Sequence, residues 1–472
     1  MNIGIMHYHL KPGGVTTVIN QHVRATRPWN DFLIISGESP PGDGPPAPTA
    51  VVPEIGYDHP DGRPACADPR AAAEALISRL RQNWDGGCDV LHIHNPLLAK
   101  NRRLLDIIRL LAAGGQRLLL QVHDFAEDGR PGSYYRGQDY PEDCHWAVIN
   151  TRDRDLLIDA GARPEGVHYV ANAVTPLPLP EVLPPPEPVM LYPVRAIRRK
   201  NIGEALLLSL FFKNRETLAV TLPPNNPADF PAYEGWKSFC AAGPAKVLFE
   251  ASSRRPLAEW VGACQGMVTT SLAEGFGFAF LEPWTAARPL FGRKLPGLCR
   301  DFTAAGMDLR HLYQGLSVPV EWLDKKALRE KISRAVAAGR RAVGLEADPA
   351  VVDRFAALAD QPLPDFALLD ESLQKQVIRR VLTEEADRRR LATINPFLTG
   401  FRQTVRPQVI SHNRRVVRDH FSQAACGRRL MTAYQRAAEN PVRHGIDKGR
   451  LLSRFFRPDC FSLLQWGEYD RC

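Results

Sequence analysis

The sequence predicts an α/β protein made of two successive parallel-sheet units and closed by a helical C-terminal region. Three observations predict it. Short aliphatic and β-branched runs alternate with amphipathic stretches in two separate parts of the chain, the pattern of βαβ units. A proline-dense segment divides those parts: residues 175–188 hold seven prolines in 14 positions. Beyond about residue 325 apolar residues recur at three- and four-residue intervals, and no convincing strand pattern follows.

In the first part NIGIMHYH, DFLIIS, DVLHIH, RLLLQVHD, HWAVINT and VHYVAN read as strands. Between several of them VTTVINQHVRA, PRAAAEALISRLRQNW and NRRLLDIIRLLAA read as helices. Proline fixes φ and lacks an N–H, so residues 175–188 suit neither a central strand nor a helix interior and read as a stiff linker. The alternation then resumes, with PVMLYPV, TLAVTLP, KVLFEA, GMVTTSL, RPLFG and LSVPV as strands and IGEALLLSLFF and RPLAEWVGACQ as helices. DKKALREKISRAVAAGRRA, ESLQKQVIRRVLTEEADRRRLA and GRRLMTAYQRAA are helical. The expected divisions are a first unit at 1–174, the linker at 175–188, a second unit at 189–340, a helical insertion at 341–400, and closing helices with a basic segment at 401–472. No repeat of 20–50 residues is present.

Composition narrows the class. The 472 residues are 44% hydrophobic and 24% charged, ordinary for a globular protein with a sizeable core. No apolar run reaches the roughly 20 residues of a membrane span, and MNIGIMHYHL lacks the features of a signal peptide. The nine cysteines form no C-x-x-C pair, so neither a disulfide framework nor a zinc site is expected and a reducing cytoplasm is favoured. The net charge of +8 is uneven: residues 401–472 hold 14 Lys and Arg against six Asp and Glu, while the other 400 residues balance.

Four motifs bear on chemistry. KPGGVTTVI places Gly13 and Gly14 between the first strand and the first helix, where backbone N–H groups suit a phosphate or a sugar hydroxyl; a tight turn needing positive φ is the structural alternative. LHIHNP and QVHDF put His94 and His123 at strand carboxyl ends, where open parallel sheets bind ligands. RAIRRKN sets four cations, Arg195 to Lys200, between a strand and a helix, either an anion site or a solvated turn. In SLAEGFGFAFLEPW, Glu274 and Glu282 stand eight residues apart, close to two helical turns. Glu274 and the N–H groups of Gly275, Phe276 and Gly277 would then lie at a helix start, with Glu282 further along. Glu274 as a helix cap is the structural alternative. No histidine accompanies the glutamates, so a metal is not expected there.

Together these residues resemble the retaining GT-B glycosyltransferases of family 4. The resemblance rests on P-G-G-V, V-L-H-I-H-N-P, the V-H-D strand end, N-A-V at 172–174, R-x4-K at Arg195 and Lys200, and E-x7-E at Glu274 and Glu282, in order across residues 1–325. A closing helix near 405–436 fits the same pattern. The resemblance implies two Rossmann-like domains facing a central cleft, the second binding a nucleotide diphosphate sugar. By it Arg195 and Lys200 hold the diphosphate, Glu274 contacts the donor sugar, and Glu282 binds the ribose hydroxyls. Gly13 and Gly14 approach the donor phosphate or the acceptor, and His123 positions the transferred sugar. No metal or other cofactor is implied, because basic residues take the cation's place. Two positions depart from the pattern: Val194 precedes Arg195 where glycine is usual, and Ala173 replaces the glycine of N-G-V.

The expected activity is hexosyl transfer to a hydroxyl acceptor, a glycan or lipid precursor or a small solute. The alternatives are a related fold acting as a nucleotide-sugar epimerase or phosphorylase, and a non-catalytic binding protein. The C-terminal surplus lacks a nucleic-acid motif; it suits a solvated helical face or peripheral contact with an anionic inner-membrane surface.

Overall fold

The computed structural model describes residues 1–42, 44–181, 188–213, 216–243, 246–400 and 405–468. Residues 182–187 of the expected linker, 401–404 at the start of the closing segment and 469–472 lie outside the described residues. The chain divides into two compact units. The first comprises Met1–Ala173 and His420–Phe456; the second comprises Val174–Asp419 and Arg457–Cys472.

The first unit is built on seven strands: β1 (Asn2–His7), β2 (Asp31–Ser36), β3 (Thr49–Val51), β4 (Val90–His94), β5 (Leu118–Val122), β6 (His145–Val148) and β7 (Val167–Tyr169). They pair in the order β3-β2-β1-β4-β5-β6-β7, and every pair is parallel. Both faces are covered, which is why the strands read as near-continuous apolar runs. Alternate residues of β4 separate the two cores: Leu91 and Ile93 join Leu76, Leu80, Ile107, Ile108 and Leu157 on one face. Val90 lies on the other face with Ile19, Val23, Leu430, Ala433 and Tyr434. That second layer pairs the helix Gly14–Thr26 with the helix Gln423–Glu439, from opposite ends of the sequence. Ser422 caps the latter through its hydroxyl to the Ala425 N–H, 3.4 Å.

The second unit holds β8 (Val189–Arg195), β9 (Thr217–Leu222), β10 (Val247–Leu248), β11 (Gly266–Thr269) and β12 (Leu290–Gly292). Their order is β10-β9-β8-β11-β12, again all parallel. The helix Ile202–Ser209 is almost wholly buried, and the helix Glu371–Thr383 packs on it. The periodicity expected beyond residue 325 appears as helices at Lys325–Ala342, Pro349–Ala356, Glu371–Thr383, Glu385–Ile394 and Pro407–His420.

Three local expectations differ from the structure. LSVPV is not a strand; Ser317 makes one isolated antiparallel bridge to Asp365, and Pro319 interrupts any ladder by lacking an N–H. β3 was absent from the expected strands, being only three residues long. Glu274 and the N–H groups of Gly275, Phe276 and Gly277 do not stand at the start of a helix that carries Glu282 further along. A loop leads into a 3-10 turn at Phe278–Phe280, and a short helix begins at Glu282. Gly277 causes the break: its φ is +88°, and a Cβ there would lie 2.7 Å from Leu298.

Candidate functional site

Ligands of open parallel sheets sit outside the strand carboxyl ends where the strand order reverses. In the second unit that point lies between β8 and β11. β8 ends at Arg195, a 3-10 turn covers Arg198–Lys200, and Asn201 enters the next helix in the left-handed region at φ +51°. Asparagine tolerates that conformation. Its side-chain Nδ2 donates to the Glu204 carboxylate at 2.7 Å, and its Oδ1 accepts from the Gln374 side-chain amide at 2.9 Å.

The turn is tied to the end of β11. Tyr192 Oη donates to the Lys200 carbonyl at 2.6 Å, and Thr270 Oγ1 donates to the carbonyls of Lys200 and Asn201, each at 3.0 Å. The Leu272 N–H reaches the Arg199 carbonyl at 2.9 Å. So fixed, Lys200 places its ammonium on the Glu274 carboxylate, with both side chains about one-eighth exposed (13% and 12%). Burial works against the Glu274 carboxylate, yet Lys200, the Ser271 hydroxyl and Arg199 outweigh it and hold its pKa below the ordinary value. Glu282 behaves oppositely. Burial, and then the charge of Glu274, push its pKa up. Among the described residues no side chain or N–H donates to its carboxylate.

The four cations of 195–200 divide into different kinds. Arg198 is bound internally, by two hydrogen bonds to Glu371 at 2.7 and 2.8 Å and by one to the Gly467 carbonyl. Arg195 donates to the Pro223 carbonyl at 3.1 Å, and no ion pair joins it to Glu274 among the described residues. Arg199 has a buried Nε without a partner and acts on Glu274 through its charge. Arg199, Ser271 and Tyr192 were not among the expected site residues. A signal for Arg199 existed in the R-R-K run, but sequence could not separate it from its neighbour Arg198. Phe276 contributes packing: its ring is buried, edge-on to Phe278 and Phe302.

The corresponding point in the first unit lies between β1 and β4. Gly13 and Gly14 precede and open the helix Gly14–Thr26, which has no side-chain cap. Neither glycine has a left-handed φ. A Cβ on Gly13 would meet nothing nearer than 3.8 Å, and one on Gly14 nothing within 4 Å. The turn alternative is therefore excluded as their reason for being glycine.

His123 follows β5 and is bonded to His94 at the end of β4, Nε2 to Nδ1, 2.9 Å. Asn95, at φ +57°, sets the two together by accepting the N–H groups of His123 and Asp124 on its side-chain oxygen, 3.3 and 3.1 Å. Burial drives the His123 pKa down to about 4 against the opposing charge of Asp124, so it is neutral near pH 7.

No protein-family model matches the chain. The solved structures it is similar to include a glycosyltransferase from Rickettsia africae, at TM-score 0.51 and 10% identity, covering 93% of this chain and 99% of that one. Anabaena HepE in complex with UDP-glucose aligns at TM-score 0.50 and 12% identity, covering 92% of this chain and 98% of that one. The chain has the GT-B fold. Among curated proteins, the mannosylglucosyl-3-phosphoglycerate synthase of Petrotoga mobilis is 26% identical over 333 residues, 62% of this chain. The match spans 65% of that relative's length, just under two thirds. No helix among the described residues is long and apolar enough to cross a membrane.

Proposed function

We propose that the protein is a retaining glycosyltransferase of family 4 that moves a hexose from a nucleotide diphosphate sugar to a hydroxyl acceptor. The observation that carries this reading is the Lys200–Glu274 pair at the β8/β11 switch point, beside a half-buried Glu282 with no donor from the described residues. An ammonium carries three donors, so Lys200 can hold Glu274 and still offer N–H groups to a diphosphate. Arg195 adds charge at the end of the same strand. Glu274, kept ionised, accepts from sugar hydroxyls, and Glu282 accepts from the ribose diol. Gly13 and Gly14 leave room for the donor phosphate or the acceptor, and neutral His123 positions the sugar.

In the transfer step the acceptor oxygen bonds to the anomeric carbon on the face from which the diphosphate departs. The bond from that carbon to the phosphate oxygen breaks, and the departing phosphate takes the acceptor's proton. Lys200 and Arg195 stabilise the growing negative charge, an electrostatic effect of about 3–4 kcal/mol for one well-placed donor. The fold likeness to HepE, solved with UDP-glucose, and the name of the Petrotoga relative support the class. That name also favours a small phosphorylated or carboxylated acceptor over a polymer.

The test is a screen of nucleotide sugars by thermal shift, followed by mass spectrometry of products with cell extract as acceptor pool. A hexose added to an acceptor with release of nucleoside diphosphate is the expected result. Epimerised nucleotide sugar, phosphorolysis, or no turnover with tight binding to anionic vesicles would overturn it.

A further inference from the structure

We propose that His22, His92 and His94 form a binding site for a late first-row divalent metal ion, zinc foremost, inside the first unit. His92 and His94 are two residues apart on β4 and therefore project from the same face of the sheet, the face covered by the helix that carries His22. One nitrogen from each ring lies within 4.8 Å of the others. All three side chains are buried, with none more than 1% exposed. His22 stacks on His92 with ring centroids 5.7 Å apart, and His92 lies 4.2 Å from His94.

The hydrogen bonding leaves this cluster incomplete. Both ring nitrogens of His22 and Nε2 of His94 are buried without a partner. Buried polar atoms are nearly always satisfied, and orphaned nitrogens on two rings of one cluster, one lone pair from each, point to a ligand that accepts lone pairs. On His94 and His92 the nitrogen turned away from the ion is held by a partner, as in metal-bound histidines, whereas the second nitrogen of His22 has none. His94 Nδ1 is engaged by His123 at 2.9 Å, which leaves Nε2 for an ion. His92 Nε2 is bonded to the Gln121 side-chain oxygen at 3.1 Å, and its Nδ1 faces the Tyr434 hydroxyl at 3.0 Å. An ion on Nδ1 would displace that hydroxyl contact and keep the Gln121 bond.

Imidazole ligates as the neutral ring. All three rings are withdrawn from solvent, which disfavours the charged imidazolium and favours the neutral form. Three imidazoles without carboxylate or thiolate suit zinc, copper or nickel rather than magnesium or calcium. Three histidines leave a fourth position for water or hydroxide. With an ion on its Nε2, His94 must carry its proton on Nδ1 and donate it to His123, so occupancy would set the tautomer of both rings. This site is separate from the Glu274–Glu282 pair, for which no metal is expected.

The experiment uses the full chain, stripped with a chelator and then dialysed against Zn2+, with bound metal measured by mass spectrometry. One zinc ion per chain is expected, unchanged in His59→Ala, which removes an exposed histidine, and weakened at least tenfold in His22→Leu and His94→Gln. No stoichiometric zinc, or equal binding by folded His22→Leu and His94→Gln, overturns the proposal. Should those variants fail to fold, X-ray absorption of the zinc-loaded natural protein decides. Three imidazoles at about 2.0–2.1 Å support the site. Sulfur scattering, or fewer than three imidazoles, sinks it.

Discussion

The two units share one design, a doubly wound parallel sheet with its order reversing beside the first strand, yet they furnish the two reversal points with opposite electrostatics. The second unit places ions there: Lys200 on Glu274, with Arg199 close enough to act on that carboxylate. The first unit places neutral imidazoles there. Burial takes His7 and His92 to about 3 and His123 to about 4. The difference comes from where the side chains are rooted. Lys200 and Glu274 stand on loops at the sheet's rim and remain partly hydrated, whereas His92 and His94 sit within a strand under two helices. A strand interior can supply donors, acceptors and metal ligands at neutral pH, but only the rim can supply cations for a phosphate.

The largest expected effect tests that division. Lys200→Ala removes the cation that faces Glu274 and should lower kcat/KM for transfer by about 10²–10³, with circular dichroism unchanged. If turnover stays within threefold of the natural enzyme, the charges of the second unit are not the phosphate site.

The contrast also has a pH signature in the carboxylates. Glu127, wholly buried in the first unit, has its pKa pushed up by burial to about 7, although Tyr140 and Lys448 oppose the shift. The folded state therefore holds that proton more tightly than the unfolded state. Stability should fall as pH rises from about 4.5 to about 7, by roughly 3 kcal/mol in total, and stay level on either side for this group. Glu274 has the opposite sign: its lowered pKa adds stability above the ordinary carboxylate range, and that contribution is lost as pH falls through its folded value. Thermal unfolding against pH should show the decline in the natural protein and its absence in Glu127→Gln; parallel curves would refute the assignment.

A smaller effect separates the two glutamates. Glu282 is expected to touch the ribose and not the reacting carbon, so Glu282→Ala should raise KM for the donor about tenfold, or ~1.4 kcal/mol, with kcat nearly kept. Steady-state kinetics with the donor varied would contradict this by showing a loss in kcat alone.

How much of this was legible in the sequence depended on the range of the forces involved. The main strands were readable because parallel strands buried on both faces are continuous apolar runs. LSVPV satisfied that rule too, but Pro319 denied it a ladder. The E-x7-E spacing matched two helical turns, yet the conformation of Gly277 and its contact with Leu298 are decided by packing and not by period. Arg198 and Arg199 were equivalent until Glu371, 173 residues later, claimed the first. His22 was invisible as a member of any group, since only the folding of its helix over β4 brings it to His92 and His94. Local composition reported the scaffold; partners distant in sequence chose which polar residues it would leave available.

The smallest effect is expected at Gly14, and its contrast with Gly277 asks whether a glycine in each unit serves the fold or a ligand. Gly277 serves the fold: an alanine there adopts a left-handed φ and collides with Leu298, so Gly277→Ala should cost about 1–3 kcal/mol in denaturant unfolding. Gly14 has ordinary helical geometry at its position and empty space where a Cβ would project, and the extended Gly13 has nearly as much. Gly14→Ala should therefore change stability by no more than about 0.5 kcal/mol. If the glycines are there so that a phosphate or acceptor can approach the helix start, the same variant should still weaken donor or acceptor binding severalfold. A stable variant with unaltered KM for both substrates would show that the first unit's loop takes no part in binding. Loss of stability without a change in KM would mean that its space is needed by the protein itself.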